Sequence, residues 1–141
     1  MTTDPLDRVR AEARKAMAQA YAPYSGFKVG AALLCADHTV VAGCNVESAS
    51  YPVGICAERS ALGAAITRGM REFRAIVIMT DAVEPTAPCG MCRQALAEFA
   101  PDLAVISRTS GGREMQWSLA ELLPRPFTPS SLPSGAGLNS A

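Results

Sequence analysis

A chain of 141 residues with 49% hydrophobic positions is the size of one domain, enough to bury a single core but not two. Its 13 basic and 13 acidic residues balance, and no run of about five like charges occurs, so it lacks the electrostatic footprint of a nucleic-acid binder and suits a small, weakly charged partner. The opening Met1-Thr-Thr-Asp-Pro-Leu-Asp-Arg has no apolar stretch of signal-peptide length and no later run is long enough to span a bilayer, so a cytoplasmic protein without membrane contact is expected.

From Pro5 to about Tyr21 the apolar positions Leu6, Val9, Ala13, Met17 and Ala20 recur at helical spacing, with Asp4 suited to the N-cap and Pro5 to the first turn. The spacing predicts an amphipathic helix, which Ala22-Pro-Tyr-Ser-Gly-Phe then breaks. Two β-rich runs, Phe27 to Cys35 and Thr39 to Val46, flank Asp37-His38 and read as an antiparallel hairpin. With a two-residue loop the cross-strand partners sum to 75, so Cys35 and Cys44 do not face each other. His38 is expected as an exposed turn residue, and both cysteines as small core hydrophobes.

Cys56 to Gly69 is alanine-rich with a terminal glycine, the pattern of a helix that packs closely on a sheet. Ala75-Ile-Val-Ile-Met reads as a strand buried on both faces, and Glu84 to Pro88 as a loop. Cys89, Cys92, Leu96 and Phe99 share one stripe of a further helix, and Leu103 to Ile106 follows as another buried strand. Met115 to Trp117 supplies a fifth strand and Leu119 to Leu123 a helical turn. Strands joined through helices imply parallel neighbours, so the expected fold is a three-layer α/β/α sandwich with a mixed sheet of about five strands. From Pro124 the composition shifts to Pro, Ser and Gly, with Phe127 and Leu132 as apolar exceptions. The expected organisation is one folded domain over residues 1–128 and a tail over 129–141, mobile at its end.

Five cysteines in a reducing compartment are more plausible as metal ligands or core residues than as disulfides. Cys56-Ala-Glu and Pro88-Cys-Gly-Met-Cys each lie where a loop runs into a helix. Cys89 and Cys92 are one turn apart, and Cys56 can supply a third thiolate. Three protein ligands leave a tetrahedral zinc ion an open position for water, the arrangement of catalytic sites. Glu58 is placed to exchange protons with that water rather than to be a fourth ligand. Two helix N-termini, and Arg59 behind the thiolates, offset the charge of three sulfurs on one divalent cation. Alone, the Cys89-x-x-Cys92 pair also fits structural zinc or redox chemistry, and Asn45, Glu47 and Phe27 read as strand-end, turn and core residues.

The segments Tyr24-Ser-Gly-Phe-Lys-Val-Gly-Ala-Ala-Leu, Gly43-Cys-Asn-Val-Glu-Ser-Ala-Ser-Tyr, Cys56-Ala-Glu-Arg, Pro88-Cys-Gly-Met-Cys-Arg-Gln and Leu122-Leu-Pro-Arg-Pro-Phe, in this order, resemble the cytidine deaminase family, specifically its short-chain homotetrameric members. The resemblance implies hydrolytic deamination of cytidine and deoxycytidine in pyrimidine salvage, with one zinc ion per subunit on Cys56, Cys89 and Cys92 and Glu58 as the proton carrier. It further implies that Phe27 packs on the pyrimidine, Ala57 lies against the substrate, and Asn45 and Glu47 bind ribose hydroxyls. Tyr51 and Phe127 would complete sites across a subunit boundary of a homotetramer. Two departures stand out: His38 where a glycine is usual, and the extension after Leu132. Cysteine rather than histidine as third ligand favours free nucleosides. The rivals are a relative acting on another cytosine nucleoside, such as blasticidin S, and a structural zinc module that binds a partner.

Overall fold

The structure, a computed structural model, describes residues 4–133, so residues 134–141 of the expected tail lie outside it. The apolar spacing of the first segment forms α1 (Leu6–Ala18), and the next two runs form β1 (Val29–Cys35) and β2 (Val40–Cys44). Then come α2 (Ala57–Thr67), β3 (Phe73–Thr80), α3 (Gly90–Phe99), β4 (Ala104–Thr109), β5 (Glu114–Ser118) and the single turn α4 (Leu119–Leu122). The first helix ends at Ala18, short of Tyr21. Pro5 rather than Asp4 is its N-cap, although an Asp4 carboxylate oxygen accepts the Leu6 N–H at 2.9 Å. Among the described residues no helix is long and apolar enough to cross a membrane.

The five strands run in the order β2-β1-β3-β4-β5. β1 is antiparallel to both β2 and β3, β3 and β4 are parallel, and β5 returns antiparallel to β4. The helical connection through α3 thus joins parallel neighbours, as expected. The one through α2 does not, because β1 sits between β2 and β3.

Period-two alternation sorts the strand side chains between two apolar layers. On one face Ala32, Val77, Met79 and Ile106 meet Val9 and Ala13 of α1. On the other, Ala31, Leu33, Ile76, Ile78 and Val105 meet Ala61 and Ala65 of α2, Leu96 of α3 and Leu119 of α4. The result is the expected α/β/α sandwich on a mixed five-stranded sheet.

The hairpin register differs by one residue from expectation. Gly30 pairs with Cys44 and Leu34 with Val40, so partners sum to 74, and three residues, Ala36 to His38, make the turn. His38 has φ of 71°, the left-handed conformation that closes a three-residue hairpin loop and that histidine tolerates better than most residues. Cys35 is buried as expected, while Cys44 is only half-buried.

Two glycines set how closely the helices approach the sheet. A Cβ on Gly30 would overlap the backbone of Ala13 and Met17 in α1, and one on Gly43 the backbone of Ser60 and Ala61 in α2. Rigid backbone cannot yield as a flexible side chain does. Gly30→Ala and Gly43→Ala should each cost about 3 kcal/mol or more, read as a lower urea midpoint, and an unchanged midpoint would show that the layers are not so tightly seated.

Candidate metal and catalytic site

A cysteine stands just outside each of two helices: Cys56 is the N-cap of α2 and Cys89 the N-cap of α3, both with extended backbone. Cys89 therefore precedes the helix rather than lying in its stripe, but an N-cap side chain folds over the third helical residue, here Cys92. The sulfurs of Cys56 and Cys89 lie 3.8 Å apart, those of Cys89 and Cys92 3.4 Å apart, and all three fall within 4.8 Å of one another. Zn–S bonds of about 2.3 Å at tetrahedral angles place sulfurs ~3.8 Å apart, so the triad fits such an ion with little adjustment. Among the described residues no other group of three or more such side chains could hold a metal ion.

The thiols differ because their surroundings do. Burial, then the charge of Glu58, pushes Cys92 far above the ordinary thiol range, and burial also pushes Cys56 up. At Cys89 burial acts the same way, but the backbone N–H of Cys92 and the neighbouring thiols outweigh it and hold the group below its usual value. A bound divalent cation would override these differences, since a coordinating thiol is deprotonated outright.

Arg59 approaches Cys56 from behind, with a guanidinium nitrogen 3.7 Å from its sulfur, and its Nε is buried with no hydrogen-bond partner among the described residues. Its charge acts on Cys92 as well as on Cys56, and more weakly on Glu58. Arg59→Gln should weaken metal retention roughly ten-fold, as read by competition with a chromophoric chelator, and equal retention would deny Arg59 this role.

Beside the thiols opens a recess of about 200 Å³, walled by Phe27, Val29 and Asn45 on one side, Ala57 and Glu58 at the head of α2, and Thr80, Thr86 and Ala87 opposite. It lies off the carboxyl end of β3, where open α/β sheets commonly bind ligands. Glu58 is 5% exposed, and burial, its largest influence, pushes its carboxyl up from the ordinary value. Phe27 is not a core residue: it lies before β1, partly exposed at the rim.

Asn45 and Glu47 both hold backbone in place. The Asn45 side chain accepts from the Val29 N–H and donates to the Phe27 carbonyl, each at 2.8 Å, which clamps the rim. The Glu47 carboxylate accepts from the N–H groups of Tyr24 at 3.0 Å and Ser25 at 3.1 Å and from the Ser25 hydroxyl. These bonds, the Ser25 hydroxyl first, hold it below the usual carboxylate range. Asn45 keeps one amide hydrogen and Glu47 a lone pair for another partner. Glu47 lines a second depression of about 360 Å³ with Tyr24 and Tyr51, whose rings meet edge-on at 6.0 Å. Tyr51 is 77% exposed and Phe127 61%, so neither is buried within this chain.

Other contributors carried no sequence signal. Ser107, wholly buried in β4, accepts the Thr86 N–H at 2.9 Å and so pins the loop that walls the recess. Thr80, equally buried at the end of β3, lines the same wall, and its hydroxyl accepts the Ala82 N–H at 3.3 Å. Arg93 donates to the carbonyl of Pro88, next to Cys89, at 2.7 Å. Each acts through a contact distant in sequence or through a backbone carbonyl.

Residues 4–108 match the model of the family described as the cytidine and deoxycytidylate deaminase zinc-binding region. A cytidine deaminase of Sporosarcina psychrophila is 41% identical over 128 residues, covering 90% of this chain and 94% of the relative. A cytidine deaminase of Halalkalibacterium halodurans is 46% identical over 118 residues, covering 83% and 89% respectively. The crystal structure of cytidine deaminase from Burkholderia pseudomallei superimposes with a TM-score of 0.83 at 45% identity, covering 90% of this chain and all of that one.

Proposed function

This chain belongs to the cytidine deaminase family of C–N hydrolases, and we propose that it converts cytidine and deoxycytidine to uridine and deoxyuridine with release of ammonia. The observation that carries the reading is the convergence of three thiols beside a buried carboxyl at the wall of a ring-sized recess.

Cys56, Cys89 and Cys92 would hold one zinc ion per subunit. When bound, that ion supplies an open position at which water is acidified to a pKa of about 7. Glu58 takes a proton from the water and gives it to N3 of the pyrimidine, which makes C4 electrophilic. The water oxygen bonds to C4, the proton left on that oxygen passes by way of Glu58 to the amino group, and the C4–N bond breaks to release ammonia as the C4 carbonyl forms. Burial suits Glu58 to this work, because a carboxyl raised above its ordinary value accepts protons more readily near neutral pH.

Phe27 offers a ring face at the rim for the pyrimidine, and Ala57 lines the same recess. The remaining amide hydrogen of Asn45 and lone pair of Glu47 suit ribose hydroxyls. The exposure of Tyr51 and Phe127 supports sites completed across the subunit boundary of a homotetramer. The role we assign is pyrimidine salvage in the cytoplasm.

The test is to incubate the purified protein with cytidine, deoxycytidine, cytosine, deoxycytidylate and blasticidin S, following ultraviolet absorbance with and without a chelator. Cytidine and deoxycytidine should be consumed, with the chelator stopping both. Turnover of blasticidin S alone would move the protein to the rival substrate, and turnover unaffected by complete metal removal would overturn the mechanism.

A further inference from the structure

The two residues after Cys92 reach away from the thiols towards the C-terminal segment. Arg93, whose Nε grips Pro88, donates through Nη1 to the Leu122 carbonyl at 2.9 Å. Gln94 donates through Nε2 to the Phe127 carbonyl at 2.8 Å. Between those anchor points the chain reads Leu123-Pro124-Arg125-Pro126, and two prolines remove two backbone donors from the stretch. Phe127 is 61% exposed, so packing of its own side chain does little to place it.

We infer that Arg93 and Gln94 are positioning residues that aim Phe127 at the substrate recess of a second copy of this chain. The inference rests on the shared-site reading above. The helix that presents Cys92 to the metal thereby also sets the aromatic residue lent to a neighbour. Arg93 bridges both functions, since one of its contacts braces the Cys89 loop. Among the described residues the Gln94 side chain makes only the hydrogen bond to Phe127, so its loss should leave the thiols undisturbed and isolates the aiming role.

The experiment is a double-mutant cycle in the full chain on Gln94→Ala and Phe127→Ala, with KM and kcat for cytidine, zinc per chain and sedimentation coefficient measured for each protein. Gln94→Ala should raise KM about five-fold and change kcat less than about two-fold, with wild-type zinc content and sedimentation. The double variant should have the KM of Phe127→Ala alone, because both changes remove one interaction. Gln94→Glu, which keeps the shape and loses the donor, should match Gln94→Ala. Additive effects, a wild-type KM in both Gln94 variants, or loss of zinc on changing Gln94 would overturn the inference while leaving the shared site standing. An unchanged KM in Phe127→Ala would instead refute the shared site, and the inference with it.

Discussion

Glu58→Gln is expected to abolish turnover while leaving the fold and the metal in place. The amide copies the shape of the carboxylate but cannot carry a proton from water to the ring and on to the departing amine. Loss of a positioned general acid and base costs about 10² to 10⁴ in rate, and the upper end applies where one group serves every proton transfer. The same change should not lower the thermal midpoint. Glu58 is 5% exposed and its burial disfavours the charged form, so a neutral isostere removes an ionisation cost instead of adding one. Activity within about ten-fold of wild type, with zinc retained, would assign the proton transfers elsewhere. A binding module built on a structural metal would be indifferent to the substitution in every respect.

Cys92→Ala should abolish both metal content and turnover. Cys92 is fully buried and its sulfur lies 3.4 Å from that of Cys89, so its loss leaves two ligands where an open catalytic tetrahedral set needs three plus water. A metal that binds only the folded protein stabilises it by about 4 kcal/mol at a thousand-fold excess over its dissociation constant, which for a domain of this size is roughly 10 °C in Tm. The variant should therefore melt near chelated wild-type protein and show no further shift when chelator is added. If it kept a full equivalent of zinc, the third sulfur would not be a ligand.

Much of the architecture was legible because it is local. The 3.6-residue pattern in α1, the apolar run of β3 and the proline and glycine breaks between elements each follow from nearby residues. What was not legible depends on long-range pairing. Nothing local places β1 between β2 and β3, since strand order is settled by which sheet edge is free when the crossover returns. The hairpin slipped by one because Asp37-His38 reads as a two-residue turn, whereas His38 takes the left-handed position of a three-residue loop usually given to glycine.

The candidate site divides the same way. The meeting of Cys56 with Cys89 and Cys92 was readable because each motif sits at the start of a helix, and such starts gather off the carboxyl ends of the strands. That Asn45 and Glu47 hold Phe27, Val29, Tyr24 and Ser25 in place was not readable, because their partners, backbone groups and the Ser25 hydroxyl, lie 16 to 23 residues away. Ser107 was missed for a similar reason: a serine in an apolar strand reads as a filler until Thr86 is seen to rest on it.

X-ray absorption at the zinc edge tests the central claim most directly. On the purified protein the account predicts a first shell of three sulfurs at about 2.3 Å and one oxygen or nitrogen, with the light ligand altered when a product or hydrated-pyrimidine analogue is added. Four sulfurs, a shell unchanged by such ligands, or a metal without sulfur neighbours would contradict it.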